Sequence, residues 1–150
     1  MTTESVGSGP VRVAVVGAGV FGRNHLRVYR ELERAGYPVE LAAVVDPDAG
    51  ARERATAEFD VRGFASIEEC MVAARAESKH VDAASVCVPT VHHAECARTL
   101  MACGIDLLIE KPLAASLADA DEMVRLAGEH GRIVQVGHLE RCTMRSARGR

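Results

Sequence analysis

The segment Val11–Gly22, with the sequence VRVAVVGAGVFG, predicts a strand, a tight turn and the start of a helix. Its first half, Val11–Val16, is an almost entirely apolar run rich in β-branched residues, which is typical of a parallel strand buried on both faces. The second half is a G-x-G-x-x-G pattern, and a helical pattern continues from Phe21 to about residue 35. Because the motif follows a strand and opens a helix, it predicts the phosphate-binding turn of a dinucleotide site.

Each glycine of the motif has its own physical role in such a turn. Gly17 lets the chain turn tightly, Gly19 lets the backbone approach a pyrophosphate, and Gly22 lets helix and strand pack closely. An ordinary tight turn is the alternative interpretation of the glycines. On the first interpretation, the cofactor contacts the whole turn, namely Gly17, Gly19, Val20, Phe21 and Gly22.

A carboxylate at the end of the second predicted strand supports the dinucleotide site. The apolar run Glu40–Val45 ends in Asp46, 24 residues after Gly22, and the expected spacing for a ribose-binding acid is about 20. An aspartate there accepts hydrogen bonds from the adenosine ribose and repels a 2′-phosphate, so NAD is favoured over NADP. Capping of the helix that follows Pro47 is an alternative role for Asp46, and the two roles can coexist.

The composition argues against several other classes of protein. The 150 residues are 48% hydrophobic and 26% charged, as in one globular domain with a substantial core. A net charge of −3 and the absence of Trp give no support for a nucleic-acid or membrane partner. Five cysteines without a C-x-x-C pair predict reduced thiols and a cytoplasmic protein. Four of them are expected to be small core residues: Cys70, Cys87, Cys96 and Cys103.

Strand and helix patterns alternate through residues 11–141, with turn and cap signals between them. This pattern predicts an α/β fold, a doubly wound parallel Rossmann sheet of about six strands with right-handed crossovers. Residues 1–10 are expected to be a disordered lead-in. The expected strands are 11–16, 40–45, 61–64, 82–88, 105–109 and 133–136. Thr90 is expected to cap a helix from His92 to Cys103, and Ser66 and Glu69 to form a capping box.

Ligands of such a sheet bind beyond the carboxyl ends of the strands, near the switch between the first and fourth strands. The candidate functional residues all follow predicted strands: Gly17–Gly22, Asp46, Pro89-Thr90, Glu110-Lys111-Pro112 and His138. Arg23 follows the last glycine, where a phosphate contact and a solvent-facing position are equally open. His92, His93 and Cys96 share one helical turn, but three neighbouring ligands without a fourth do not predict a metal site, and none is expected.

In this order, the segments GAGVFGRNH, VVDPD, VCVPTVHH, LIEKPLA and VGHLER resemble the Gfo/Idh/MocA oxidoreductases over about residues 11–141. The Glu-Lys-Pro after the fifth strand is the specific marker of this resemblance. The VPTxxH and GHLER segments are most similar to the branch of UDP-N-acetylhexosamine 3-dehydrogenases. Family members transfer a hydride between a sugar or polyol carbon and nicotinamide, so the resemblance implies such a substrate.

The resemblance also implies roles for individual residues. Lys111 would lie by the nicotinamide ribose and the reacting hydroxyl, where its ammonium orients the substrate oxygen and favours its deprotonated form. Glu110 would help to fix that loop, and the Lys111-Pro112 bond is often cis in relatives. His138 and Arg141 match positions that face the substrate, with His138 the second catalytic candidate. The nicotinamide ribose would be lined by Val88, Pro89, Thr90 and His93.

Relatives of the GHLER type continue into a second α+β domain, and this sequence does not match it. Residues 142–150 diverge, carry three arginines and predict a disordered tail. One hypothesis is a truncated or frame-shifted reading of a longer gene.

Two functions stay open on the sequence. One is the cofactor-binding part of an NAD-dependent sugar or polyol dehydrogenase, with a UDP-sugar as a narrower choice, and with weak or no turnover alone. The other is a stand-alone NAD-binding sensor or partner module. A homo-oligomer, or a partner chain that supplies the missing domain, is compatible with either function.

Overall fold

The structure is a computed structural model and describes residues 9–137. Strands and helices alternate along this part of the chain, as the sequence predicts. Their bounds are β1 (Val11–Val16), α1 (Val20–Arg34), β2 (Val39–Val45), α2 (Ala49–Phe59), β3 (Gly63–Phe64), α3 (Ile67–Ala76), β4 (Ala83–Val86), a 3-10 turn (Thr90–His92), α4 (His93–Ala102), β5 (Asp106–Glu110), α5 (Leu117–His130) and β6 (Val134–Gly137).

The six strands form one parallel sheet in the order β3-β2-β1-β4-β5-β6. The chain moves outward from β1 to β3, crosses back to β4 on the other side of β1, and then continues to β6. The doubly wound fold is therefore confirmed, with its switch point between β1 and β4. His138, Arg141 and residues 142–150 lie outside the described residues.

Helices cover both faces of the sheet, which explains why the central strands are apolar throughout. On β1, Ala14 and Val16 pack in a cluster with residues of α3, α4 and α5, including Leu100 and Met101. Val15 faces the opposite side and packs with residues of α1 and α2, including Leu26 and Phe59 of the second cluster. Side chains that alternate between two buried faces must all be apolar, as the run VRVAVV is after Arg12.

The register between β1 and β2 shifts by one residue in the middle of the pair. Val13 lies opposite Leu41, whereas Ala14 lies opposite Ala43, so Ala42 is the additional residue of β2. Beyond the shift, Val16 pairs with Val45, and the amide of Gly17 donates to the Val45 carbonyl at 2.8 Å. The residue that follows β2 is thereby aligned with the glycine turn that follows β1.

Most helix ends follow the cap signals of the sequence. Ser66 Oγ accepts a hydrogen bond from the Glu69 amide at 3.2 Å, which confirms the cap, whereas the Glu69 carboxylate accepts from the Ala65 amide and not from that of Ser66, the donor that a capping box requires. Ser116 Oγ accepts from the Asp119 amide at the start of α5. Gly104 follows α4 with a φ of +77°, as a left-handed glycine at a helix end should.

Two local predictions, for Thr90 and Cys103, and the alternative role of Asp46 as a helix cap are wrong. Thr90 does not cap a helix; it begins the 3-10 turn, and α4 starts only at His93 without a side-chain cap. Asp46 is not the cap of α2, since the Asp48 carboxylate accepts from the Ala51 amide at 2.8 Å. Cys103 is exposed rather than a core residue, because it lies at the end of α4, beyond the last buried turn.

No helix within residues 9–137 combines the length and the apolar character needed to cross a bilayer.

The glycine turn is held by a close backbone contact. A Cβ atom on Gly22 would lie 1.7 Å from the carbonyl oxygen of Gly17, far inside van der Waals contact. Gly17 itself has a φ of +102°, and a Cβ there would lie 2.7 Å from the Cys87 carbonyl oxygen. Gly19 differs from both, because a Cβ on it would meet no atom within 4 Å. Gly17 and Gly22 are thus required by the fold itself.

Replacing Gly22 by Ala is expected to lower the free energy of unfolding by about 3 kcal/mol, because the added carbon collides with backbone that cannot rotate away. Urea unfolding followed by circular dichroism measures the change. Gly19→Ala is the matched control and should stay within about 1 kcal/mol of the unsubstituted protein. Equal unfolding midpoints for the two variants would contradict this account of the turn.

Candidate functional site

A cleft of about 860 Å³ opens at the carboxyl ends of the strands, across the switch point between β1 and β4. The segments that follow β1, β2, β4 and β5 form its walls, which is where a doubly wound sheet binds its ligands. Gly22 lies behind the turn against Gly17, and His138 lies outside the described residues. The other residues predicted to be catalytic or to bind the cofactor line the cleft: Gly17, Gly19, Val20, Phe21, Asp46, Val88, Pro89, Thr90, His93, Glu110 and Lys111.

The first turn of α1 presents its backbone to this cleft. Gly19 is the N-cap residue, and within the described chain no side chain caps the helix and no acidic residue stands in its first turn. The free space beside the Gly19 Cα leaves room for a ligand against the amides. Open amides at the positive end of a helix dipole bind anions, and phosphate is the usual one.

Asp46 joins the glycine turn to the start of α2. Its Oδ2 accepts a hydrogen bond from the Ala18 amide at 2.8 Å, and its Oδ1 accepts one from the Asp48 amide at 2.8 Å. The carboxylate is therefore fixed beside the glycine turn while it lines the cleft. Each carboxylate oxygen accepts more than one hydrogen bond, so both retain capacity for a ribose hydroxyl.

The opposite end of the cleft is formed by the segment after β5. Glu110 is the last residue of that strand, and Lys111 follows it as an exposed residue lining the cleft. The Lys111-Pro112 peptide bond is cis, as the resemblance implies.

Arg23, which follows the glycine turn, forms an ion pair with Glu58 of α2, so its guanidinium is engaged with a neighbouring helix.

His93 connects the two segments that line this end of the cleft. Its side chain is buried, with Nε2 2.9 Å from the Val88 carbonyl oxygen. Its Nδ1 lies 3.1 Å from the carbonyl oxygens of both Pro112 and Leu113. The imidazole thus links the loop after β4 to the loop after β5, and its polar atoms face backbone.

Within residues 9–137 no three metal-ligating side chains come together.

A buried polar chain behind Glu110 has no counterpart in the sequence predictions. The Tyr29 hydroxyl lies 2.6 Å from Ser85 Oγ, and Ser85 Oγ lies 3.1 Å from His25 Nδ1. His25 Nε2 then lies 2.6 Å from Glu110 Oε1. The available signal was the helical spacing of Gly22, His25, Leu26 and Tyr29, which places two polar side chains on the core-facing side of α1.

The sequence predictions also do not include the far wall of the cleft. It is formed by the start of α3 and by one face of α4, and neither carries a motif. The residues are Ser66, Ile67, Glu68, Glu95, Cys96 and Thr99.

The thiols of the cleft are protonated at neutral pH. Burial raises the pKa of the Cys87 thiol to about 12, and the nearby Glu110 charge adds to the effect. Burial likewise raises the pKa of Cys96 to about 11, with smaller contributions from Glu95 and Glu68. Since the thiolate is the nucleophilic form, neither cysteine is suited to covalent catalysis.

These features define a doubly wound dinucleotide-binding domain with its open helix start and its strand-end carboxylate in place. Residues 11–138 match the family described as an oxidoreductase family with an NAD-binding Rossmann fold, and the chain belongs to this Gfo/Idh/MocA family.

Relatives in the family include enzymes that act on sugars and polyols. The chain is 30% identical over 131 residues to UDP-N-acetylglucosamine 3-dehydrogenase of Acidithiobacillus ferrooxidans, covering 87% of this chain and 38% of the relative. It is 32% identical over 133 residues to inositol 2-dehydrogenase of Leifsonia xyli subsp. xyli, with 87% and 37% covered. Among solved structures, GenD2 from gentamicin A biosynthesis in complex with NAD superimposes with a TM-score of 0.73 at 30% identity, covering 86% and 34%. The chain therefore spans less than two fifths of the length of these relatives.

Iodoacetamide is expected to label Cys103 at pH 8 and to leave Cys87 unmodified, because a pKa of about 12 leaves about one Cys87 thiol in 10⁴ ionised. The rate at Cys87 should rise about tenfold for each pH unit while the fold persists, since the thiolate fraction does so. Peptide mapping by mass spectrometry measures both sites, and Cys103→Ser is the control that removes the exposed thiol. Labelling of Cys87 at the rate of Cys103 would overturn the assignment of a protonated thiol.

Proposed function

We propose that this chain is the cofactor-binding part of an NAD-dependent oxidoreductase that transfers a hydride between nicotinamide and a hydroxyl-bearing carbon of a sugar or polyol. The observation that carries the proposal is the position of Asp46. Its carboxylate is bonded to the Ala18 amide of the glycine turn, beside the open amides at the start of α1. One cleft therefore holds a diphosphate site and a ribose site at the separation that adjacent strand ends provide.

The residues of the cleft fit an extended dinucleotide. The amides at the start of α1 would hold the pyrophosphate, and Asp46 would accept hydrogen bonds from the adenosine ribose. With the adenosine at β2, the other half of the cofactor extends past the switch point towards the ends of β4 and β5. Bound NAD supplies a nicotinamide ring that accepts or donates the hydride. Pro89, Thr90 and Lys111 line this second half of the cleft.

Lys111 is proposed as the catalytic residue of the described chain. Oxidation of an alcohol transfers a hydride from carbon to the nicotinamide ring and a proton from the hydroxyl oxygen to a base on the substrate side, since an ammonium cannot accept it. An ammonium at Nζ beside that oxygen stabilises the developing negative charge and orients the hydroxyl. His138 stays a sequence-based prediction for the substrate side. A UDP-sugar is the narrower proposal, supported by the UDP-N-acetylglucosamine 3-dehydrogenase among the relatives.

Asp46→Asn tests the site, because asparagine retains a carbonyl acceptor for the Ala18 amide and removes the charge, together with the oxygen that accepts from the Asp48 amide. The affinity for NAD should fall about tenfold, as expected for the loss of a charged hydrogen bond, and the preference for NAD over NADP should shrink. Calorimetric titration with both cofactors measures the two effects. The control is Asp48→Asn, which removes a charge two residues away and retains a good helix cap, so its NAD affinity should change less than about twofold. An unchanged cofactor preference in Asp46→Asn would contradict the proposal.

A stand-alone NAD-binding module is the alternative within the same fold. An absorbance assay for NADH with UDP-sugars and polyols separates it from the dehydrogenase. NAD binding without turnover, together with capture of one specific partner, would favour the module. Failure to bind any dinucleotide would contradict both the dehydrogenase and the NAD-binding module.

A further inference from the structure

We propose that His25 is a positioning residue that fixes the Glu110 carboxylate and, through it, the adjacent Lys111 at the nicotinamide end of the cleft. The inference rests on the proposed function, because it assumes that this end receives the nicotinamide half of the cofactor. It adds a residue of α1 to a site whose other members follow strands.

The contact between His25 and Glu110 is short and buried. Nε2 lies 2.6 Å from Oε1, and the two side chains are 7% and 15% exposed. A carboxylate so poorly solvated needs a donor, since an unpartnered buried charge is strongly unfavourable. Glu110 is the last residue of β5 and lines the cleft directly before Lys111. The orientation of this carboxylate therefore affects the course of the chain where Lys111 leaves the sheet.

The Glu110 carboxylate determines which nitrogen of His25 carries the proton, and the hydroxyls of Ser85 and Tyr29 can adapt to it. A carboxylate only accepts, so Nε2 must donate to Glu110. Nδ1 of a neutral ring then accepts from Ser85 Oγ, and Ser85 accepts from the Tyr29 hydroxyl. In this arrangement the Tyr29 hydroxyl donates to Ser85, the Ser85 hydroxyl donates to His25, and the His25 ring donates to Glu110. Ser85 is fully buried on β4, so the ring is held by two strands as well as by its own helix.

The test compares two ligands that share the adenosine diphosphate half. On the proposed function, ADP engages the glycine turn and Asp46, whereas NADH adds the ribose and nicotinamide that reach the end of β5. His25→Leu retains a large apolar side chain and removes both nitrogens, so Glu110 loses its donor. We expect the affinity for NADH to fall about tenfold and the affinity for ADP to stay within about twofold, both measured by calorimetry.

Two further variants separate positioning from general stability. His25→Gln retains an amide donor that can replace Nε2, and it should recover most of the NADH affinity. His130→Leu, at the exposed end of α5, is the control and should alter neither affinity. A parallel loss for both ligands in His25→Leu, an unchanged ratio of the two affinities, or the absence of rescue by glutamine would overturn the proposal.

Nitrogen-15 NMR of the unsubstituted protein gives a measurement that needs no variant. The expected result is a proton on Nε2 at neutral pH, and a ring protonated on Nδ1 alone would overturn the proposal. If the unsubstituted protein binds neither ADP nor NADH, the proposed function itself fails. Binding of both ligands with an affinity ratio insensitive to His25→Leu overturns this inference alone.

Discussion

The close approach of Gly22 to the carbonyl of Gly17 is the constraint on which the site depends. It places the first turn of α1 directly over the end of β1, and no residue with a side chain fits at that point. The amides of this turn then face the cleft, and the Ala18 amide is directed to Asp46 on the neighbouring strand. The exposure of these amides therefore follows from one steric contact, and the pairing of β1 with β2 places the Asp46 carboxylate beside them.

A second set of contacts organises the other half of the cleft through buried histidines. His93 joins the carbonyls after β4 to those after β5, and His25 joins α1 to Glu110. Both residues lie close to the cleft, yet their nitrogens face other protein atoms. Imidazole suits this position because it carries two polar atoms on a rigid ring and can span neighbouring backbone segments. The residue before the exposed Lys111, Glu110, thus contacts the buried His25 ring, and the residue after it, Pro112, contacts the buried His93 ring through its carbonyl.

The sequence predicts the features that depend on local sterics and on strand order. The bounds of β1 agree because a doubly buried strand must be apolar throughout, and the glycine spacing leaves few other turns. The alignment of Asp46 with the turn follows from adjacency of β1 and β2 in a doubly wound sheet. The cap at Ser66 is also a local hydrogen-bond pattern, and its bond from the Glu69 amide to Ser66 Oγ is confirmed.

Features that depend on contacts between distant segments were not predictable in the same way. The contacts of His25 join residues 60 and 85 positions apart, and helical spacing shows a buried face without naming its partners. Cys103 illustrates a limit of composition, because a small apolar residue one position past a helix can be exposed. The 3-10 turn at Thr90 arises where Pro89 restricts the backbone, and a cap pattern alone does not distinguish it from a regular helix start.

The register shift at Ala42 adds one residue to β2 without changing how the rest of the strand meets its neighbour. Before the shift Leu41 faces the α1 side, and after it Ala43 and Val45 face the α4 side, as their partners Ala14 and Val16 do on β1. Because Ala42 has no partner on β1, a protein without it would pair Leu41 and Ala43 with consecutive residues of β1, and Asp46 would keep its position beside the glycine turn. The number of residues between the glycine motif and the acidic residue can therefore differ by one between such proteins while their distance in space stays the same.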